Sequence, residues 1–155
     1  MRTDLMKLTK VKAANFCVYQ ERTQQEVRDK LYALGLFRDE VEQTLSELIS
    51  ENFVNEERFA IAFTNGRFKL KHWGKTKIGY ELKKRKISRY CIDKALKGIS
   101  ESDYENTIAN LIEKKSKGIN DPSPTTRQKI ANFLIAKGFE PELVWRQIET
   151  LPGQT

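Results

Sequence analysis

The chain of 155 residues has little of what metal sites and common catalytic motifs require. It contains one histidine, His72, and no cysteine or histidine cluster at metal-ligand spacing, so we predict no metal site. It also has no glycine-rich phosphate loop and no Gly-x-Ser-x-Gly motif. We therefore predict no cofactor and a role that is not enzymatic.

Long apolar segments are missing as well. No run approaches the roughly 20 apolar residues that span a bilayer, and the opening stretch "MRTDLMKLTKVKAANF" lacks the apolar core of a secretory signal. We expect no membrane contact and a cytoplasmic location. The two cysteines, Cys17 and Cys91, lie within apolar helical patterns. They are predicted to be buried, reduced thiols that act as small hydrophobic side chains, which also argues against a nucleophilic role with His72.

Strand-like alternation of apolar and polar residues is not sustained anywhere, whereas helical spacing is common. Val41, Leu45, Leu48 and Ile49, for example, follow one another at helix-face intervals. Residues typical of helix starts and helix ends separate these segments. Helix starts are indicated by Thr23 with Glu26, by Ser102 with Glu105 and by Asn55, and Pro141 suits the first turn of a helix. Helix ends are indicated by Gly35 and Gly138, which lie just past the last apolar residues. The predicted fold is all-α, with short helices.

An internal repeat organises these helices. Val27, Leu31, Leu36, Val41 and Leu45 recur as Ile78, Leu82, Ile87, Ile92 and Leu96, and again as Ile130, Leu134, Phe139, Val144 and Ile148. Each copy is preceded by one more helix, predicted at residues 11–20, 56–71 and 102–117. The prediction is three tandem three-helix modules that form an elongated, curved, right-handed-type helical array, with module cores supported by their neighbours.

The predicted boundaries follow from this repeat. They are an N-terminal tail at 1–10, module 1 at 11–54, module 2 at 55–99, module 3 at 100–151 with a loop insertion at 116–125, and a C-terminal tail at 152–155. The Gly, Pro, Asn and Ser residues of "SKGINDPSPT" favour a flexible loop in module 3 over a domain boundary.

Positive charge is concentrated in module 2. Residues 67–97 contain 12 basic and two acidic residues, a local charge of +10, whereas residues 1–66 carry −2 and residues 98–155 carry −1. Lysines often do no more than solvate the outer face of a helix. Here the cations lack interspersed carboxylates and repel one another, which a phosphate backbone or an acidic groove would relieve.

We therefore predict a basic binding face on module 2. Its candidate residues are Arg67, Lys69, Lys71, Trp73, Lys75, Lys77, Lys83, Lys84, Arg85 and Lys86. Trp73 is either a packing anchor in the inter-helix turn, the favoured interpretation, or a platform for a nucleobase. His72 is expected to be a surface residue or to cap the preceding helix. Phe59, Phe63, Gly66 and Leu70 share one helix face and are predicted to form core, with Gly66 permitting close helix contact.

Several stretches resemble the RecX family, the bacterial regulators of the recombinase RecA. They are "YQERTQQEVRDKLYALGL" in module 1, "ISENFVNEERFAIAF" at the centre, and "HWGKTKIGYELKKRKIS" followed by "IDKAL" in module 2. The resemblance covers about residues 10 to 151. Two departures stand out: Asn55-Glu56 replaces the family's usual paired aspartates, and Lys86 replaces a usual glycine, which predicts a different helix ending there.

The resemblance implies three tandem three-helix repeats and a non-enzymatic inhibitor or modulator of RecA. Such a protein would lie in the groove of the RecA–DNA filament and limit extension, strand exchange and coprotease activity. The implied partners are the RecA filament and, weakly and without sequence specificity, single-stranded and double-stranded DNA; we expect a monomer. The alternative is a helix-turn-helix protein that reads duplex DNA with residues 75–86 or 89–97.

Overall fold

The structure is a computed structural model that describes residues 1–152. Within this range the chain forms nine helices and no strand. They are α1 (Arg2–Tyr19), α2 (Gln24–Ala33), α3 (Arg38–Ser50), α4 (Glu56–Lys71), α5 (Lys75–Lys84), α6 (Arg89–Lys97), α7 (Glu101–Ser116), α8 (Pro124–Ala136) and α9 (Pro141–Ile148). The all-α prediction and the tandem three-helix organisation are confirmed. Of the predicted C-terminal tail at 152–155, residues 153–155 lie outside the described residues.

The first helix is longer than predicted. It begins at Arg2, not at residue 11, so residues 2–10 are helix and not tail. Two features that sequence spacing did not reveal stabilise this extension. Leu5 and Met6 pack against the core of module 1, and Lys10 Nζ lies 2.9 Å from a carboxylate oxygen of Glu47 on α3. A helix end that contacts its neighbour is stable where an isolated one would fray.

Most helix starts follow the predicted chemistry. The capping box of Thr23 and Glu26 is present, and Asn55 accepts a hydrogen bond from the backbone of Arg58. The start of α7 differs. Its N-cap is Ser100, whose side chain accepts from the Asp103 backbone N–H at 3.0 Å, so the predicted box of Ser102 with Glu105 was wrong. Both serines precede an acidic residue by three positions, and the earlier one is used.

The residues that define the repeat form the core. Of the fifteen repeated positions all are buried except Leu96, which is partly buried. The buried side chains fall into two clusters. One lies within module 1 (α1–α3), and the other runs through module 2 (α4–α6) and module 3 (α7–α9) without interruption. Modules 2 and 3 therefore share one core, whereas module 1 has its own.

The joint between modules 2 and 3 is a backbone contact. The Gly74 N–H donates to the Lys137 carbonyl at 2.8 Å, and the Thr76 N–H donates to the Gly138 carbonyl at 3.0 Å. Next to this contact, the rings of Phe68, Tyr104 and Phe139 pack in series, with centroids 5.8 and 5.3 Å apart. A β-carbon on Gly74 would lie 2.2 Å from the carbonyl carbon of Gly138, so this approach requires glycine at residue 74.

Tyr104 ties the same joint together through its hydroxyl. This oxygen accepts from the Lys75 backbone N–H at 2.9 Å and donates to the carboxylate of Glu140. Burial, together with the neighbouring Glu140 carboxylate, raises the pKa of Tyr104 above its ordinary value. The hydroxyl therefore stays protonated and remains available as a donor.

Module 1 is joined to module 2 mainly by polar contacts. Arg58 at the start of α4 donates to a carboxylate oxygen of Glu21 at 2.7 Å, and to the carbonyl oxygens of Asn52 and Phe53 at 3.0 and 3.3 Å. The two cores do not merge across this junction. Among the described residues, the junction therefore consists of hydrogen bonds from Arg58 without a core shared by the two modules.

Both cysteines are buried and unpaired, as predicted. Burial raises the pKa of the Cys17 thiol, which disfavours the reactive thiolate. No helix within residues 1–152 is both long enough and apolar enough to cross a membrane.

Candidate functional site

The turn that links α4 to α5 is the centre of the basic region. Trp73 in this turn is partly buried against the shared core of modules 2 and 3. Lys77 Nζ lies 4.3 Å and the guanidinium carbon of Arg67 lies 5.4 Å from the Trp73 ring centroid. The geometry supports the packing-anchor interpretation, because the ring is held by the core and flanked by cations.

A second ring extends this arrangement along α4 and α5. The guanidinium carbons of Arg67 and Arg85 lie 4.4 and 4.8 Å from the Phe63 centroid. Cations and rings thus alternate in one continuous row, which we call the Trp73 strip: Lys77, Trp73, Arg67, Phe63 and Arg85. Stacking on aromatic faces holds the long cationic side chains in place without neutralising them.

The carboxylate of Glu81 neutralises part of the charge at the end of α5. It lies 2.9 Å from Arg85 and 3.8 Å from Lys84, and the hydrogen bond from Arg85 lowers the pKa of Glu81. The other predicted cations have no carboxylate within ion-pair distance among the described residues: Arg67, Lys69, Lys71, Lys75, Lys77, Lys83 and Lys86. Most of the predicted charge is therefore available to a partner.

The ten predicted residues do not all lie on one face. Lys69 follows Arg67 by two positions, which is about 200° around a helix, so the two side chains leave α4 on opposite sides. Lys75 Nζ lies 4.9 Å from the Tyr104 ring centroid, toward the joint with module 3. Lys71, Lys83 and Lys86 are exposed. The structure thus divides the predicted face into the Trp73 strip and several separate lysines.

Lys86 ends α5 in the same way that glycines end the equivalent helices. Gly35, Lys86 and Gly138 have φ angles of 100°, 65° and 101°. In each module the next N–H returns to the carbonyl five residues earlier, at 3.1 to 3.2 Å. This pattern is the Schellman motif. The prediction of a different helix ending at Lys86 was therefore wrong, and a lysine adopts a left-handed conformation that favours glycine.

Replacing Lys86 should separate its backbone cost from its charge. We expect Lys86→Gly to raise the free energy of unfolding by about 1 kcal/mol, because glycine adopts positive φ without steric cost. Lys86→Ala removes the same charge but keeps the strained backbone, so it should not stabilise the protein. Urea unfolding followed by circular dichroism measures both variants, and equal stabilities would contradict this assignment.

Of the four residues predicted to form the core face of α4, Phe59 and Phe63 are buried as predicted, whereas the predictions for Gly66 and Leu70 were wrong. Leu70 was predicted to be core but is 80% exposed, and a β-carbon on Gly66 would meet nothing within 4 Å. The core-facing arc of α4 instead passes through Thr64 and Phe68. His72 is exposed, and its left-handed backbone (φ 56°) forms the end of α4, in agreement with both expected roles.

Sequence reasoning missed two features beside the Trp73 strip. A cleft of about 380 Å³ separates modules 1 and 2, and it places Glu21 and Glu26 opposite Arg67 and Arg85. A groove of about 600 Å³ between the end of α4 and α7 is lined by His72, Lys114 and Lys117, among others. The "EKKSK" stretch at the end of α7 was the available signal for this second site.

The fold and the surface charge together define the class of protein to which this chain belongs. The chain is a helical-repeat protein whose modules 2 and 3 share one core and whose positive charge is concentrated on module 2.

The chain belongs to the RecX family. Family models for the first, second and third three-helix domains of RecX match residues 10–48, 55–96 and 101–148. Proteins named "Regulatory protein RecX" from Clostridium tetani, Clostridium perfringens and Haemophilus influenzae are 28%, 30% and 29% identical over 142, 122 and 127 residues. These matches cover 90%, 77% and 81% of this chain and 63%, 57% and 82% of the relatives. The chain thus spans about three fifths of the two clostridial relatives.

Solved structures agree with this assignment. The crystal structure of RecX from Lactobacillus salivarius has a TM-score of 0.86 and 25% identity, and the match covers 96% of this chain and 97% of that one. A second structure, of a regulatory protein RecX, has a TM-score of 0.82 at 21% identity over 95% of this chain and 72% of that one, and it supports the fold alone.

Proposed function

We propose that this chain is a non-enzymatic modulator of the RecA recombinase that binds in the groove of the RecA–DNA filament. There it would limit filament extension, strand exchange and coprotease activity. The observation that carries the proposal is the set of module 2 cations that have no carboxylate partner within residues 1–152, located on both sides of the α4–α5 turn and at the end of α5. Membership of the RecX family supports RecA as the partner, and the positive charge of module 2 supports electrostatic contact with the filament.

The energetics favour an anionic or mixed filament surface. Unpaired lysines and arginines close together repel one another, and binding to phosphates or carboxylates removes that cost. Lys86 supports the same conclusion, since it retains a cation at a backbone position where glycine would be less strained. The backbone joint at Gly74 and Gly138 fixes this surface relative to module 3, so two modules can contact a filament as one body.

The helix-turn-helix alternative is less well supported. Its recognition helix would lie in residues 75–86 or 89–97. The basic residues of the first range are mostly lysines, and charged residues of the second already have partners within module 2. Lys94 Nζ lies 2.7 Å from Glu57, and Arg89 lies 3.8 Å from Asp93. Base reading needs free side chains that hydrogen-bond to base edges, whereas lysine mainly contacts phosphate.

The test is ATP hydrolysis by the cognate RecA on single-stranded DNA, titrated with this protein at low and high salt. We expect inhibition at substoichiometric amounts, weaker at high salt. The variant Lys77→Glu, Lys83→Glu, Lys86→Glu should require about tenfold more protein or fail to inhibit. The matched control reverses three exposed cations elsewhere, Lys7→Glu, Arg38→Glu, Lys129→Glu, and should inhibit like the parent chain.

Two results would refute the proposal. One is full inhibition by the module 2 variant while circular dichroism shows unchanged helicity. The other is inhibition that excess free DNA abolishes, because it would mean that the protein only coats the DNA.

A further inference from the structure

Module 1 is fastened to module 2 at one place, the turn between α3 and α4. Among the described residues, every hydrogen bond that crosses from module 1 to module 2 involves residues 52–58. Within this turn Asn52 has a left-handed backbone, with a φ angle of 66°. Away from the turn the two modules share no core. The turn therefore has the position of a hinge, and Arg58 lies at its pivot.

The rest of the boundary is a gap whose two walls carry opposite charges. It consists of the cleft of about 380 Å³ described above and an adjoining cavity of about 250 Å³. Within residues 1–152 the single ion pair between the modules is that of Arg58 with Glu21, at the hinge. The charged groups that line the gap are Glu21, Glu26 and Asp29 on the wall of module 1 and Arg67, Lys84, Arg85 and Lys86 on the wall of module 2.

The charges on the two walls are unused across the gap. Glu26 has a 4.0 Å contact with Arg22 of its own module, and Arg85 pairs with Glu81 of its own module at 2.9 Å. Glu21 Oε1 is buried and has no hydrogen-bond partner among the described residues. A buried carboxylate oxygen without a donor is costly. A movement of module 1 toward module 2 would supply donors and bring opposite charges together, so electrostatics favours a second, narrower position of module 1.

We propose that module 1 is a hinged cap that closes onto module 2 and masks the cations on that wall. In the closed position the carboxylates of α2 pair with Arg85 and its neighbouring lysines, and Glu21 reaches Arg67. An anionic partner competes for these cations and holds the cap open. The inference rests on the proposed function in one respect, that the partner contacts this wall of module 2, and it adds an autoinhibitory contact to that surface.

The position of the cap can be measured by pulsed electron paramagnetic resonance on the full chain, without RecA. Spin labels at Ser46→Cys on α3 and Asn106→Cys on α7, both exposed, report the distance between modules 1 and 3 in a chain that also carries Cys17→Ala and Cys91→Ala. We expect two distances at low salt, and loss of the shorter one as salt rises or as tripolyphosphate is added. Labels at Asn65→Cys and Asn106→Cys, within the modules that share a core, should give one unchanged distance.

The charge on the wall of module 1 is tested by Glu26→Gln with Asp29→Asn. Glutamine at residue 26 still completes the capping box with Thr23, so α2 should remain intact. The ratio of short to long distances at low salt should fall about fivefold, since two exposed attractions are lost. The matched control, Asp4→Asn with Asp39→Asn, removes two exposed carboxylates of module 1 that line neither cavity, and it should behave like the parent chain.

Two results would overturn the proposal: a single distance in the parent chain at every salt concentration, or equal behaviour of the two carboxylate variants. The measurement contains no RecA. A cap that does not move therefore leaves the proposed filament inhibition standing, and an absence of inhibition leaves the distances of the cap unaffected.

Discussion

Gly74→Ala is expected to lower the free energy of unfolding by about 3 kcal/mol or more, or to separate modules 2 and 3. A β-carbon at residue 74 would lie 2.2 Å from the carbonyl carbon of Gly138 and 2.3 Å from the backbone nitrogen of Phe139. Backbone atoms on both sides cannot move without breaking the hydrogen bonds from Gly74 and Thr76. The added methyl group therefore has nowhere to go.

Gly66→Ala is the matched control for this substitution. Gly66 lies inside α4, where a β-carbon would meet nothing within 4 Å. Alanine has the higher helix propensity, so this variant should gain about 0.5–1 kcal/mol. Urea unfolding of both variants, followed by circular dichroism, gives the comparison. If the two glycine variants changed stability in the same direction and by similar amounts, the close backbone contact would be disproved.

Arg127→Met is expected to destabilise module 3 by about 3–5 kcal/mol. Arg127 is in the first turn of α8 and is only 5% exposed, and no carboxylate partners it among the described residues. Its guanidinium instead donates to the carbonyl oxygens of Pro122, Ile148 and Pro152 at 3.0, 2.8 and 3.0 Å. It thereby joins the loop before α8 to the segment after α9. Methionine would fill the space but leave buried carbonyl groups without a donor.

The control for Arg127 is Arg146→Met, on the exposed face of α9. An exposed arginine without an ion pair contributes little, so its replacement should change stability by less than about 0.5 kcal/mol. Amide hydrogen exchange would show where stability is lost, and we expect faster exchange in α8 and α9 of the Arg127 variant than in module 1. Uniform loss across all modules, or no difference between the two variants, would contradict the proposed joining role.

The cleft between modules 1 and 2 connects the fold to the proposed regulation. Glu21 and Glu26 face Arg67 and Arg85 across it, while Arg58 holds Glu21 through a hydrogen bond. Acidic groups that line the same cleft would compete with an anionic partner for these arginines. We therefore expect the orientation of module 1 to affect how much positive charge the Trp73 strip presents.

The sequence by itself determined the helices and their repetition. The apolar positions that recur in each module are local in origin, since a helix must bury one face, and their spacing is visible without any knowledge of the neighbours. The same holds for Thr23 with Glu26, for Asn55, and for Gly35 and Gly138, whose roles depend on backbone conformation within a few residues. The concentration of cations in residues 67–97 is also a property of the chain alone.

Only the tertiary structure decided which residues meet. Leu70 fits the apolar pattern of α4 yet is exposed, because the neighbouring helices cover the arc through Thr64 and Phe68 instead. Gly66 and Gly74 look alike in the sequence, but only Gly74 contacts another backbone. Arg67 and Lys69 are two positions apart and leave opposite sides of their helix, whereas Arg67 and Arg85 meet at the ring of Phe63. Charge and the periodicity of apolar residues can be read from the sequence alone. Contact between distant residues depends on how whole helices pack, which local sequence does not encode directly.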